Sequence, residues 1–389
     1  MAQIVRDLKY YQQGAPRVLL PAFVGSVALL LFVNDSPVFL PFMGGLFFGY
    51  VIQRSRFCFA ACFRDVFLLG NTALTRALLV GLALATAGFS AISILSGNPL
   101  LEAGGRIYPL GLHTLLGGVL FGFGMVIAGS CVSGCLVRMG EGYLMQWGTF
   151  GGLLVGSVLG AWHLNWWLRP QAMSLPAVFL PASLGWPDAL LLQFMLLAGL
   201  FLLAQRIEQS KNPWQIFKSA AVTGSSWPYG TGAVLLAVGN MALLYLWGRP
   251  WGITSGLTHL TGWAGWQLGL PVLDWQFFSA AVPGGVAADS SFLQHPLLCL
   301  ALAMVLGGFL AAVLNNEFRL RRPRRAKYSY FALTGGILMG YGSRLSFGCN
   351  IGALFSGIPS LSLHAWAFFF AVLLGAALGG KVLLRYVMS

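Results

Sequence analysis

From Pro296 to Leu314 the chain reads "PLLCLALAMVLGGFLAAVL", nineteen residues without a charge. A helix needs about 20 mostly apolar residues to cross a bilayer. Comparable runs lie at Val18–Val33, Arg76–Leu95, Gly111–Ala128, Trp147–Trp167, Ala189–Gln205, Thr231–Trp247, Tyr328–Leu345 and His364–Arg385. Shorter apolar pieces lie at Pro41–Val51 and Pro271–Val282. Only 8% of the residues are charged and 57% are hydrophobic, whereas soluble domains carry roughly 25% charge. A transmembrane barrel would alternate with period two, and these runs are continuously apolar. The expected fold is an all-α integral membrane protein with about nine transmembrane helices and several short re-entrant ones. The opening "MAQIVRDLKYYQQGAPR" lacks a small-residue cleavage site, so the first apolar run is expected to be a retained span.

The net charge of +13 does not point to nucleic acid. The basic residues fall in short loops, which is a topology signal. "RLRRPRRAK" (Arg319–Lys327) is the strongest run; Arg6, Lys9 and Arg17 precede the first span, and Arg206, Lys211 and Lys218 share another loop. Segments near Asn98–Pro109 and Gly284–His295 are poor in Lys and Arg. Placing the basic segments in the cytoplasm puts both termini there.

The chain repeats itself. Offset by 218 residues, Gly117, Gly118, Leu120, Gly122 and Gly124 meet Gly335, Gly336, Leu338, Gly340 and Gly342. Cys131 then meets Cys349, Gly134 meets Gly352, and after one insertion Trp147 meets Trp366. The charge topology gives the two copies opposite directions, and inverted repeats are a mark of secondary transporters. The expected division is residues 1–205 as a first membrane half, 206–227 as a cytoplasmic linker and 228–389 as a second half. Both copies lose helical character after the span, at "AGSCVSG" and "FGCNIGALFSGIPS". Each cysteine is expected at a break, near the start of a short helix, where free N–H groups suit anions. The competing reading is that the glycines only let helices pack closely. A third segment, "GYVIQRSRFCFAACFRD" (Gly49–Asp65), carries Cys58 and Cys62 among Arg54, Arg56 and Arg64. Those arginines are either interfacial anchors or functional groups.

Thiols on a membrane path can bind metal, exchange redox equivalents, carry an adduct or touch a soft substrate. Cys58/Cys62 and Cys131/Cys135 are each spaced by four, which puts both members on one helical face. A four-thiolate zinc site would leave net negative charge in lipid and lacks CxxC spacing. The absence of CxxC also argues against thioredoxin-like exchange. His113, His163, His259, His295 and His364 form no evident facing pair for haem. Cys299, inside an ordinary span, reads as packing. No P-loop GxxxxGK[ST] occurs. Asp65 and Glu141 are the nearby carboxylates and read as interfacial salt-bridge partners; a metal-cation carrier would expose more of them. The arginine excess favours an anion, and thiols are weak donors and polarizable contacts. A small, soft, sulfur-bearing anion fits both.

"GYVIQRSRFCFAACFRD", "GGVLFGFGMVIAGSCVSGCLVRMGEG" and "GGILMGYGSRLSFGCNIGALFSGIPSLSLHAW" resemble the signature segments of the YeeE/YedE family of sulfur-transport membrane proteins, from about Gly44 to the C-terminus. "WGITSGLTHLTGWAGWQLG", the basic loop and "GIPSLSLHAW" are most similar to the YedE branch, which is linked with selenium metabolism. The resemblance implies thiosulfate uptake at the bacterial inner membrane, an hourglass-like helical fold with short helices dipping in from both sides, and three path cysteines: Cys58, Cys131 and Cys349. Cys62, Cys135, Arg54, Arg138, Arg344, Ser130, Ser133 and Asn350 stand beside them as accessory candidates. No catalytic residue, metal or cofactor is implied. Two other readings stay open: uptake of a selenium compound such as selenite or selenosulfate, and covalent relay of sulfur or selenium to a cytosolic thiol-carrier protein.

Overall fold

The protein is seen in a computed structural model that describes residues 21, 24–34, 36–97, 105–168, 175–208, 212–218, 226–278, 295–323 and 325–387. Lys211, the segment before Pro21, most of the loop before His295 and the extreme C-terminus lie outside these residues. The helices are α1 (Val24–Val33), α2 (Phe39–Ser55), α3 (Phe59–Leu68), α4 (Ala73–Ser96), α5 (Leu112–Ile127), α6 (Val132–Gly140) and α7 (Leu144–Trp167). They continue with α8 (Leu180–Leu184), α9 (Trp186–Glu208), α10 (Tyr229–Trp247), α11 (Thr254–Gln267), α12 (Pro296–Leu314), α13 (Ala326–Leu345) and α14 (Leu363–Val382). Two short strands, β1 (Pro109–Leu110) and β2 (Leu175–Ala177), pair antiparallel. The chain is an all-α, multi-pass integral membrane protein. Among the described residues seven segments are long and apolar enough to cross a bilayer, with α5, its break and α6 forming one of them. Of the other expected spans, the described part of Val18–Val33 holds the ten-residue α1, and Tyr328–Leu345 lies within α13, a 20-residue helix carrying Lys327 and Arg344. Pro271–Val282 begins as two 3-10 turns, Val272–Asp274 and Gln276–Phe278.

Helix packing reveals the repeat as a pseudo-twofold. Helix α5 packs on α14 and α13 on α7; α2 packs on α12 and α4 on α10; α3 meets α14 and α11 meets α7. Each pair is the other with the copies exchanged. At the centre α5 crosses α13. A Cβ at Gly117 would lie 2.8 Å from the Gly342 carbonyl, and one at Gly124 2.7 Å from that of Gly335. As residue number rises on one helix it falls on the other, so the equivalent helices run antiparallel and the repeat is inverted. The flanking seams follow suit. Gly122 lies against the Val372 backbone and Gly340 against that of Leu153. These glycines serve close packing, the plainer of the two readings; the segments beyond them serve something else.

Those segments share one local design. Two residues before each cysteine the backbone turns left-handed: Arg56 (φ 53°), Gly129 (φ 73°) and Phe347 (φ 52°). A left-handed residue ends a helix. The chain then runs extended through the cysteine, which is the N-cap of a new short helix: Cys58 of α3, Cys131 of α6, and Cys349 of a π-helical turn at Asn350–Phe355. The second copy's helix α11 begins after Ile253, where no cysteine stands.

Candidate functional site

Cys131 is the middle thiol. It lies within electrostatic reach of both Cys58 and Cys349. Cys131 and Cys349 are buried, and Cys58 is half-buried. Ser133 Oγ sits 3.2 Å from the Cys131 Sγ, and the Thr254 hydroxyl at the start of α11 is in reach of Cys349. The amides of Ile351 and Gly352 also face the Cys349 sulfur, as expected at a helix start. Ser130 donates to Gln146 Oε1 at 2.6 Å, and Asn350 Nδ2 to Met125 Sδ at 3.2 Å. Asn350 Oδ1 has no partner among the described residues.

Each end of this row has its own cation. At the end where the basic loops gather, a cavity of about 100 Å³ is walled by Cys58, Arg56, Arg138, Val137, Glu141 and Tyr143, among others. One water needs about 10–15 Å³ of such cavity space, so a small anion has room here. Arg138 donates to the Gly129 carbonyl at 2.8 Å and lies over Tyr143. Arg56 bridges Glu141 at 3.4 Å and Glu317 at 2.7 Å. Burial pushes the Glu141 carboxyl above its ordinary value, against the pull of Arg56, Arg138 and Arg321.

At the opposite end Arg344 is 1% exposed. Its guanidinium lies over the Phe277 ring at 5.1 Å and near Cys349. Its Nε and Nη2 have no hydrogen-bond partner among the described residues. Arg106, bonded to the Tyr108 hydroxyl at 3.1 Å, stands beside it. His113 and His364 donate to the Leu345 and Ser346 carbonyls at 2.8 Å each, tying down acceptors freed at the end of α13. A buried charge without partners is costly, so a guanidinium held this way is a natural anion receptor.

Three accessory candidates sit away from the cavity. Arg54 is not on the cavity: its guanidinium lies over Trp227, whose N–H donates to the Arg54 carbonyl. Arg56 takes that place, and its signal in the sequence was its position two residues before Cys58. Cys62 and Cys135 do not line the cavity. Their thiols donate to backbone carbonyls, Cys62 to Cys58 and Leu74, Cys135 to Gln146. The spacing of four that suggested a shared face instead lets Cys62 bond the carbonyl one turn back. His259 and His295 stack ring on ring with centroids 4.5 Å apart, too close for a haem iron between them. Arg64 and Asp65 pair at 2.7 Å, as an interfacial ion pair would. Among the described residues no group of three or more His, Cys, Asp or Glu is placed to hold a metal.

The chain is 29% identical over 352 residues to "Thiosulfate transporter TsuA" of Spirochaeta thermophila, covering 83% of this chain and 92% of that one. It is 28% identical over 333 residues to the TsuA of Escherichia coli, 83% and 87% covered. "Probable transporter YedE" of Escherichia coli is 30% identical over 176 residues, 45% of this chain and 42% of that one. The family described as Sulphur transport matches residues 54–378, nearly the whole described helical body, and the chain belongs to that family.

Proposed function

We propose that the protein imports a small sulfur oxyanion such as thiosulfate across the bacterial inner membrane. Its basic end and both termini face the cytoplasm, as loop charge favours. The anion is received at the opposite end, where Arg344 offers donors. It passes Cys349, then Cys131, then Cys58, and reaches the cavity of Arg138. The thiols act in the neutral S–H form, because a thiolate would repel the anion. Their weak contacts suit passage, since a conducting site must release what it binds.

The observation that carries this reading is the placement of three thiols at three helix starts, with Cys131 in reach of both others and a guanidinium beside each end. The relatives named as thiosulfate transporters support the choice of cargo. The test is uptake of labelled thiosulfate into cells lacking their own sulfur importers, with and without Cys131→Ala, and with selenite and selenosulfate as competitors. Cysteine-dependent thiosulfate uptake is expected. Cysteine-dependent selenium accumulation without thiosulfate uptake would reassign the cargo. No uptake of either, with a persulfide on a cysteine found by mass spectrometry, would replace import by covalent relay to a thiol carrier.

A further inference from the structure

Arg56 is the wall residue shared by two cavities. One is the 100 Å³ cavity of Cys58 and Arg138. The other, about 470 Å³, lies beyond it and is lined by Arg76, Lys218, Asn71, Trp227 and Tyr229, among others. The Arg56 side chain is 41% exposed and crosses from the α2–α3 turn to Glu141, at the end of α6, and Glu317, beyond α12. Gln53 Nε2 donates to the same Glu317 oxygen at 2.5 Å. The Arg56 backbone is left-handed, a conformation that costs a non-glycine residue and that glycine would adopt freely. The equivalent position before Cys131 is glycine. The equivalent position before Cys349 is Phe347, whose ring stacks on Tyr108, so where a side chain stands at such a site it has work to do there.

We propose that Arg56 is the release latch of the transport path: it rests on Glu317 and Glu141, and swings onto an anion that arrives beside Cys58. This rests on the sulfur-anion reading above and deepens it. Half-exposed ion pairs are weak and exchange readily, so a dianion beside Cys58 competes with the two carboxylates for one guanidinium. The carboxylates are then built-in surrogates for the cargo. When they recapture Arg56, the anion loses one of its two cations and moves into the wider chamber, which Lys218 lines and where Arg76 is already held by Glu208 at 2.8 Å. The strength of the Glu317 contact sets the balance between holding and letting go.

The latch is tested at Cys58 without reference to cargo. Purified protein is treated with a negatively and a positively charged methanethiosulfonate reagent, and modification of Cys58 is quantified by peptide mass spectrometry. Wild type is expected to favour the anionic reagent. Arg56→Gly, which keeps the left-handed turn, should lower the anionic-to-cationic ratio at least fivefold. Glu317→Gln should raise it severalfold by freeing Arg56 toward the cavity. In uptake assays Glu317→Gln should lower both the KM and the maximal rate for thiosulfate. Ratios within twofold of wild type in both folded variants would overturn the latch, as would a ratio shift in Glu317→Gln with the thiosulfate KM and maximal rate both unchanged, the pattern of a purely structural ion pair that acts through charge alone. Shifted ratios in a protein that does not carry thiosulfate would keep the latch and remove the cargo assignment.

Discussion

The two ends of the thiol row are built by one device and both carry arginine, but the guanidiniums are partnered at one end and left with free donors at the other. At the basic end Arg56 and Arg138 have protein partners: Glu141, Glu317 and the Gly129 carbonyl. At the other end Arg344 keeps two donor nitrogens without a partner among the described residues. A committed guanidinium binds an incoming anion only by exchange, whereas an uncommitted one gains by any anion that reaches it. The difference separates an end suited to capture from one suited to release. Arg344→Met would break the comparison most forcefully. It should cut thiosulfate uptake at least tenfold and raise folding stability, because a buried charge without partners is costly. Uptake kinetics paired with thermal unfolding in detergent would check it. Unchanged uptake would mean that the two ends do not differ in function.

The comparison also needs the pseudo-twofold intact, because that symmetry brings a segment of each copy inward from its own side. Gly340→Ala would push a methyl group into the Leu153 carbonyl, and Gly122→Ala into that of Val372. Overpacking of this kind costs about 1–3 kcal/mol. Because the two seams are equivalents, the two variants should lower the unfolding temperature by similar amounts. A loss in only one would show that the seams carry unequal loads.

Much of this was legible in the sequence. The apolar runs and the 218-residue offset give the helices and the repeat, because bilayer thickness leaves few alternatives for uncharged stretches near 20 residues. The cysteines at helix starts were legible for the same reason: Gly and Ser after a span end it. What stayed hidden depends on side-chain direction. Cys62 stands four residues from Cys58 yet donates to carbonyls, and periodicity does not record which groups are already satisfied. Arg54 and Arg56 have the same charge and neighbourhood, and only the left-handed turn at Arg56 decides which faces the cavity. His259 and His295 stand 36 residues apart yet stack, a contact that no local sequence pattern records.

That stack sharpens the contrast by acidity. His295 caps α12 by accepting from the Leu298 N–H. Burial, then His259 and Arg249, push its pKa down to about 4. A base whose folded value is depressed favours the neutral form, so its contribution is intact above the ordinary value near 6.5 and is lost as pH falls toward 4. Stability should fall by about 1–2 kcal/mol between pH 7 and pH 5 on this account. His295→Asn keeps a good N-cap without a titrating ring, and should flatten that part of the unfolding profile. An unflattened profile would place the acid-sensitive group elsewhere.

The smallest expected effect bears on which thiols matter. Cys62 and Cys135 are as buried as Cys131, so burial alone does not distinguish a path thiol from a structural one. Their bonding does. The Cys62 and Cys135 sulfurs donate to carbonyls, and a serine hydroxyl makes the same bond at shorter reach. Cys131 instead meets the Ser133 hydroxyl, a partner that rotates to donate or accept and can leave the thiol free for a guest. Cys62→Ser and Cys135→Ser should therefore keep thiosulfate uptake within about twofold, a change of no more than ~0.4 kcal/mol in the barrier. Cys131→Ser should lose most of it, because oxygen is smaller and less polarizable than sulfur. Equal losses at all three positions would mean that sulfur is needed for packing, and that the row of three is really a cluster of five.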